Sequence, residues 1–243
     1  MKFTLCITCW SQDVHMLNET LSSFSVRPSQ LPEYIRDGRE EEYLICLNQL
    51  KRVIPESYDL LICENTIDSL DDLKNQNLKD LFYDSETDLS GSKNNIGTRN
   101  KGRGELLMLK NALNKTDLDK YKNVSYITAR RFFTCPYVFE KTESLQKQAL
   151  VSNPDFFFLN GRYIESEKRG MYNDMFFSMN TDVICDYADY AMSGNDSIGS
   201  EQTLYNFINT RGIEYEWLDW LGLIRNNWTD NYQSYDANNF HTC

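Results

Sequence analysis

The sequence predicts an α/β fold in which a mostly parallel central sheet is flanked by helices. Short apolar runs, typical of buried strands, alternate with longer segments whose apolar residues recur at helical spacing. Hydrophobic residues make up 41% of the 243 residues and charged residues 25%, which is enough apolar surface for a full core. Neither a linker nor an internal repeat interrupts the pattern. We therefore predict one domain at residues 1–225, followed by an irregular tail or flap at residues 226–243.

The individual elements follow from the same periodicity. Four apolar runs in the first half predict strands at residues 2–9, 58–63, 78–83 and 124–128. Apolar residues at helical spacing predict helices at residues 15–24 and 40–53, and between 104 and 124. In the second half we expect strands at residues 154–159, 175–179 and 213–218, and helices at 143–149, 182–192 and 203–209. Ser200 is the predicted N-cap of the last helix, and Gly212 its stop.

Residues 94–104 form a polar, glycine-bearing stretch, NNIGTRNKGRG, ahead of the helix that leads to the fourth predicted strand. Gly97 lets the backbone approach a ligand closely. Asn95, Asn100 and Lys101 supply hydrogen-bond donors. The stretch therefore predicts half of a nucleotide-binding site, and a loop of solvated polar residues is the alternative.

Two arginines, Arg130 and Arg131, follow the fourth predicted strand directly. In open α/β sheets ligands bind beyond the carboxyl ends of the strands, and paired guanidinium groups suit a diphosphate. The first two strands add Thr8, Glu64 and Asn65 near their ends, where an acid and an amide suit a ribose or a base edge. The structural alternatives are ion pairing of the arginines, and capping of the next turn by the acid and the amide.

The formal net charge of −11 argues against a protein that grips duplex DNA through many phosphates, so no extended nucleic-acid binding is expected. The seven cysteines are scattered, and Cys6 and Cys9 lie in a predicted strand, where they face opposite sides. We therefore expect reduced, mostly buried thiols in a reducing compartment. The sequence shows neither a signal-peptide core nor an apolar stretch long enough to span a membrane. The predicted location is the cytoplasm, or the cytoplasmic face of a membrane.

With this order of elements, the chain resembles the GT-A glycosyltransferases, the nucleotide-diphospho-sugar transferase fold, and among them small bacterial and viral members that build surface or capsular glycans. The resemblance is carried by NNIGTRNKGRGE at residues 94–105, DMFFSMN at 174–180, and GSEQ at 199–202 followed by Arg211 and Gly212. It spans residues 3–218 and implies a single GT-A-like, Rossmann-like domain. It also implies transfer of a hexose or pentose from a nucleotide-diphosphate sugar to a carbohydrate acceptor.

The resemblance further implies roles for individual residues. The residues that would bind the nucleotide sugar are Thr8, Glu64, Asn65, Asn95, Gly97, Asn100 and Lys101. Arg130 and Arg131 would neutralise the charge of the leaving diphosphate. Glu201, at a helix start, is the first choice for the general base that takes the proton of the acceptor hydroxyl, and Asp174 is the second. Either carboxylate could instead cap a helix or orient the base by a hydrogen bond.

One departure from the GT-A pattern concerns the metal. GT-A enzymes usually end the donor strand in Asp-x-Asp, whose carboxylates hold Mn²⁺ or Mg²⁺ on the diphosphate, but here residues 129–131 read Ala-Arg-Arg. The triplet at residues 117–119, Asp-Leu-Asp, precedes the strand and is interpreted as a solvated turn. Two mechanisms stay open. One uses a metal, for which His241 in the tail is a candidate ligand, and the other uses the arginines without a metal.

Other function classes also stay open. A non-catalytic GT-A-like protein that binds glycan or nucleotide would explain the missing Asp-x-Asp. A phage-type glycosyltransferase that acts on modified DNA bases would keep the reaction, although the acidic charge disfavours it. A nucleotidyltransferase would need metal-binding carboxylates at the strand ends, and the sequence pattern does not predict them.

Overall fold

A computed structural model of the protein describes residues 4–10, 33–64, 69–88, 101–129, 131–152, 171–194, 198–218, 221 and 223–225. Its strands β1 to β9 are Thr4–Trp10, Tyr58–Glu64, Glu86–Asp88, Asn123–Thr128, Arg131–Phe133, Ala149–Ser152, Phe176–Asn180, Tyr215–Leu218 and Leu223–Arg225. Its helices α1 to α6 are Glu33–Val53, Gln76–Tyr83, Lys101–Lys115, Tyr137–Glu143, Thr181–Ser193 and Ser200–Arg211. The predicted α/β fold class is confirmed.

The central sheet has seven strands in the order β3-β2-β1-β4-β7-β6-β8, and β5 pairs separately with β9. β1 is parallel to β2 and β4, β2 is parallel to β3, and β6 is parallel to β8. β7 runs antiparallel to both of its neighbours. The sheet is therefore mostly parallel, as predicted. Because the chain moves outward from β1 to β3 and then returns to the far side of β1, a topological switch point lies between β1 and β4.

Two apolar clusters attach helices to the two faces of this sheet. On the first face α3, α5 and α6 pack over β4 and β7, with Tyr187 and Phe177 fully buried. On the second face α1, α2 and α4 pack over β2 and β7, with Phe139 and Phe176 fully buried. Phe176 and Phe177 are neighbours in β7 and enter different clusters because side chains alternate along a strand.

The prediction of a strand at residues 78–83 is wrong, because this segment is the helix α2. Leu78, Leu81 and Phe82 are buried together, and a strand would have split them between opposite faces. Asn75 caps the helix, since its Oδ1 accepts a hydrogen bond from the backbone N–H of Leu78 at 3.2 Å. The third strand is the short segment Glu86–Asp88 that follows.

The predicted helix at residues 143–149 is wrong as well. The helix α4 ends at Glu143, and β6 occupies Ala149–Ser152. α4 begins directly after Pro136, and proline is tolerated at a helix start because it lacks only an N–H that would be unpaired there. All of β6 is buried, so its apolar run shows no alternation, as expected for a strand covered on both faces.

Helix α6 confirms the predicted stop and corrects the predicted cap. Gly212 ends it with a left-handed backbone, at a φ of 64°, which glycine adopts without strain. The N-cap is Gly199, and Ser200 is already the first helical residue. The structure confirms the other predicted elements that fall on described residues, while the helix at 15–24, the strand at 154–159 and the tail at 226–243 lie outside them.

The cysteines mostly follow the expectation of reduced thiols. Cys46, Cys63 and Cys185 form no disulfide bond. Cys135 is disulfide-bonded, so the expectation is wrong for that residue. None of the helices that the structure describes has the length and apolarity needed to cross a membrane.

Candidate active site

Polar residues meet at the carboxyl edge of β1 to β4, where the switch point lies. Cys9 of β1 pairs with Cys63 of β2 and with Thr128 of β4, and Cys63 pairs in turn with Asp88 of β3. One position further along, Glu64 pairs with Trp10. Asp88 escaped the sequence analysis because the third strand had been placed too early in the chain.

The structure locates three of the residues predicted to bind the nucleotide sugar. Glu64 ends β2 and is fully buried. Thr8 lies inside β1, in a row with Ile62 and Ile127, two buried residues of the second face. Lys101 is the first residue of α3. The other four predicted residues, Asn65, Asn95, Gly97 and Asn100, lie outside the described residues.

The residues that follow β4 begin with a buried residue, Ala129, and lead into β5. Arg131 is half-buried at the start of β5, while Arg130 lies outside the described residues. Arg131 pairs with Arg225 of β9, so two arginines occupy opposed positions in this ladder. Sequence reasoning missed Arg225 because β9 is too short to give a pattern.

Further along the same edge, three carboxylates, Glu105, Asp174 and Glu201, lie near enough to the phenol of Tyr187 on the first face for their charges to act on it. We call these three residues the acid cluster. Burial raises the pKa of the Tyr187 phenol well above its ordinary value, and the negative charges of Asp174, Glu105 and Glu201 raise it further. The side chain of Tyr187 is 0% exposed. The two carboxylates predicted as general base candidates are therefore brought together.

Asp174 is held where β7 begins, close to the end of β4. Its Oδ2 accepts a hydrogen bond from the Ser200 hydroxyl at the start of α6. The next residue, Met175, accepts a hydrogen bond on its carbonyl from the Thr128 N–H at 3.1 Å. The Met175 N–H donates to Asn173 Oδ1 at 2.8 Å. These contacts fix the carboxylate between the last residue of β4 and the first turn of α6.

Glu201 lies in the first turn of α6, where a negative charge is favoured by the helix dipole. Its carbonyl accepts a hydrogen bond from the backbone N–H of Tyr172 at 3.1 Å, which ties the helix start to the segment that leads to β7. Its Oε2 lies 3.4 Å from the position that a Cβ atom would occupy on Gly199. The carboxylate therefore folds back towards the start of α6.

Glu105 lies on α3, and its Oε2 accepts a hydrogen bond from the Tyr126 hydroxyl at 3.3 Å. The Tyr126 ring stacks on Phe177 of β7, with 4.9 Å between ring centroids. Sequence reasoning did not single out Glu105, although it ends the stretch NNIGTRNKGRGE. The available signal was its place at the start of a helix that follows the candidate binding loop.

A divalent cation would need several carboxylate, imidazole or thiolate ligands at this edge. Within the described ranges, no three His, Cys, Asp or Glu side chains are arranged to hold a metal ion. Asp117 and Asp119 are exposed in a turn at the amino end of β4, away from the edge where the acid cluster lies. His241 lies outside the described residues. Alanine and arginine at the end of β4 do not fit a metal, so no metal-dependent step is derived.

No protein-family model matches this sequence, and no curated protein is significantly similar to it. Solved structures do resemble it. One is a protein from Desulfovibrio desulfuricans G20 assigned as a nucleotide-diphospho-sugar transferase, with a TM-score of 0.54 and 14% identity over 90% of this chain and 80% of that chain. The fold is of the nucleotide-diphospho-sugar transferase type. Another is 4-diphosphocytidyl-2C-methyl-D-erythritol synthase from Anaerococcus prevotii DSM 20548, with a TM-score of 0.51 and 13% identity over 89% and 86% of the two chains.

Proposed function

We propose that this protein is a glycosyltransferase that moves a sugar from a nucleotide-diphosphate sugar to a carbohydrate acceptor in glycan synthesis. The observation that carries the proposal is the place of Asp174 and Glu201, which are tied to the end of β4 and to the start of α6. This end of β4 borders the switch point, where α/β sheets bind nucleotides. Carboxylates beside a nucleotide are suited to deprotonate an acceptor hydroxyl.

The reaction needs one group that removes a proton from the acceptor and another that stabilises the leaving diphosphate, and we assign these two roles to different residues of this edge. The bond between the anomeric carbon and the diphosphate oxygen breaks, and a bond from that carbon to the acceptor oxygen forms. Glu201 takes the proton of the acceptor hydroxyl, with Asp174 as the second candidate for this role. Arg130 and Arg131 neutralise the negative charge that develops on the leaving diphosphate. Residues at the ends of β1 and β2 and in the loop at 94–104 hold the nucleoside.

The product of the reaction tests this proposal. The purified protein, incubated with a panel of nucleotide-diphosphate sugars and with mono- and oligosaccharide acceptors, should release a nucleoside diphosphate and a lengthened acceptor. Both products are separable by chromatography and mass spectrometry. If the protein binds a nucleotide sugar but forms no product with any acceptor, the result would support a non-catalytic binding protein instead. A gel shift with DNA at moderate salt would favour the glycosyltransferase that acts on modified DNA bases.

A nucleotidyltransferase is the second candidate, because the chain also resembles a 4-diphosphocytidyl-2C-methyl-D-erythritol synthase in fold. Such an enzyme would transfer the nucleoside monophosphate group of a nucleoside triphosphate to the phosphate of a phosphorylated alcohol or sugar, and the bond to the departing pyrophosphate would break. Its inorganic product is pyrophosphate rather than a nucleoside diphosphate. Measuring pyrophosphate and nucleoside diphosphate in the same reaction therefore separates the two candidates.

Replacing Arg130 with alanine should abolish the stabilisation of the protein by its nucleotide sugar. A ligand that binds only the folded state raises the melting temperature, and the loss of a charged contact of about 1.5–3 kcal/mol weakens binding by roughly 10- to 100-fold. We expect the wild-type shift in a thermal denaturation assay without added metal. Arg52→Ala, an exposed arginine in the last turn of α1, is the matched control and should keep the full shift. A shift that requires Mn²⁺ would contradict the arginine mechanism.

A further inference from the structure

Two hydroxyl groups on the first face are buried and have no hydrogen-bond partner within the described part of the chain, Tyr187 Oη and Thr128 Oγ1. Buried polar atoms in folded proteins nearly always have a partner, in the protein, in ordered water or in a ligand. Tyr187 Oη lies within reach of the charges of the acid cluster, and the backbone of Thr128 contacts Met175, the residue next to Asp174. This position makes them candidates for contact with a bound molecule.

The ring of Tyr187 belongs to the apolar core of the first face, and its hydroxyl lies within reach of the charges of the acid cluster. Its ring is held by Phe177, at 5.5 Å between centroids, and by Phe207, at 5.2 Å. Burial and the charges of Asp174, Glu105 and Glu201 together raise the pKa of its phenol. The phenol therefore stays protonated at neutral pH and is available as a hydrogen-bond donor.

Thr128 is the last residue of β4, in register with Cys9 of β1. Its backbone N–H donates a hydrogen bond to the carbonyl of Met175, which is the residue next to Asp174 in the chain. Thr128 thus links the switch point at β1 and β4 to the acid cluster. A molecule that bridges the two would pass its hydroxyl.

The chemistry of these groups selects the class of ligand. Carboxylates only accept hydrogen bonds, whereas the protonated phenol donates one and the threonine hydroxyl does both. A diphosphate would be repelled by three carboxylates. A pyranose ring carries no negative charge, and each of its hydroxyl groups both donates and accepts hydrogen bonds, so it suits the carboxylates and the two hydroxyl groups. Paired carboxylates and hydroxyls therefore favour a neutral sugar at this end of the edge.

We propose that the acid cluster, together with the hydroxyl groups of Tyr187 and Thr128, is the subsite that binds the sugar ring, with one sugar hydroxyl seated on Tyr187. The proposal rests on the proposed function and assigns the sugar, as opposed to the nucleotide, to these residues. Tyr187 determines specificity here, since only a sugar with a hydroxyl at the matching carbon satisfies its phenol.

Tyr187→Phe and Thr128→Val test this subsite, because each substitution removes a hydroxyl and keeps the shape of the side chain. The matched control is Tyr190→Phe, on the same helix, whose ring also packs on Phe207 at 5.5 Å but lies outside the acid cluster. Binding is measured by calorimetry and NMR titration with UDP, GDP, their glucose, galactose, N-acetylglucosamine and mannose derivatives, and the corresponding methyl glycosides. Each test variant should weaken the binding of sugar-bearing probes about tenfold or more and leave the nucleoside diphosphates unchanged.

The two probe types identify the source of the sugar. Weaker binding of the nucleotide sugars alone assigns the subsite to the donor sugar, and weaker binding of the methyl glycosides assigns it to the acceptor. Unchanged affinity for every sugar-bearing probe that binds the wild type would overturn the proposal. A wild-type protein that binds the nucleotide sugars no more tightly than the nucleoside diphosphates, and binds no methyl glycoside, would also overturn it.

Failure of the proposed function gives a different result from failure of the subsite. In that case no nucleotide sugar binds, while methyl glycosides still bind and still lose affinity in Tyr187→Phe. An unchanged melting temperature of the unliganded Tyr187→Phe variant excludes misfolding as the cause.

Discussion

Replacing Glu201 with glutamine should reduce the rate of sugar transfer by a factor of roughly 10² to 10⁴, the usual contribution of a general base. Glutamine keeps the size of the side chain and one carbonyl acceptor, but it cannot take a proton from the acceptor hydroxyl at neutral pH. The place of Glu201 in the first turn of α6, beside Asp174, motivates the test. The measurement is kcat and KM with the nucleotide sugar that the product assay identifies, and the loss should appear in kcat.

Asp174→Asn and Glu214→Gln complete this experiment. Asp174 already accepts a hydrogen bond from the Ser200 hydroxyl, which asparagine can still accept, so a roughly tenfold loss is expected if Asp174 only orients the site. Glu214 is exposed on the approach to β8, and its substitution should have no effect. A base acts in its deprotonated form, so the wild-type rate should fall as pH falls, and this acidic limb should vanish in Glu201→Gln. A larger loss in Asp174→Asn than in Glu201→Gln would move the role of base to Asp174.

The fold could be predicted where strands are buried and helices are amphipathic. β2 contains the continuous apolar run at residues 60–63, and every residue of β4 except Thr128 is buried, because both faces of the sheet are covered. β3 reads Glu-Thr-Asp and lies at the edge of the sheet, so it has no apolar signal at all. α2 was predicted as a strand although it is a helix. Its few apolar residues fit a short strand equally well, and only the structure shows that they are buried on one side of a helix. Short elements therefore account for the errors.

The candidate site was predictable in its parts but not in its arrangement. Asp174 and Glu201 stand out in the sequence because each flanks a predicted element. That they meet depends on β7 lying antiparallel beside β4, and this pairing is set by tertiary packing, which no local pattern encodes. Tyr187 reads as an ordinary core position at helical spacing in α5. The role proposed for it rests on its buried hydroxyl and on the charges near that hydroxyl, which the sequence does not reveal.

Phe176→Ala should lower the free energy of unfolding by about 3–5 kcal/mol, the usual cost of removing a buried aromatic side chain. Phe176 is 0% exposed and lies between Phe139, at 6.0 Å between centroids, and Phe133, at 6.4 Å. Its removal leaves a cavity on the second face that this aromatic cluster cannot fill by small shifts. Such a loss is a large part of the roughly 5–15 kcal/mol by which domains are stable. Urea denaturation followed by circular dichroism measures the change, and the slope with urea should stay constant.

The same substitution also separates stability from catalysis. Phe176 points to the second face, while its neighbour Phe177 points to the first face, where the acid cluster lies. Phe176→Ala should therefore keep kcat close to the wild-type value at temperatures where the variant is folded. Ile45→Ala, at a position that is 47% exposed on α1, is the control and should change the unfolding free energy by no more than about 0.5 kcal/mol. A loss below about 1 kcal/mol in Phe176→Ala would mean that the second face is loosely packed, and a large fall in kcat would mean that the two faces are coupled through β7.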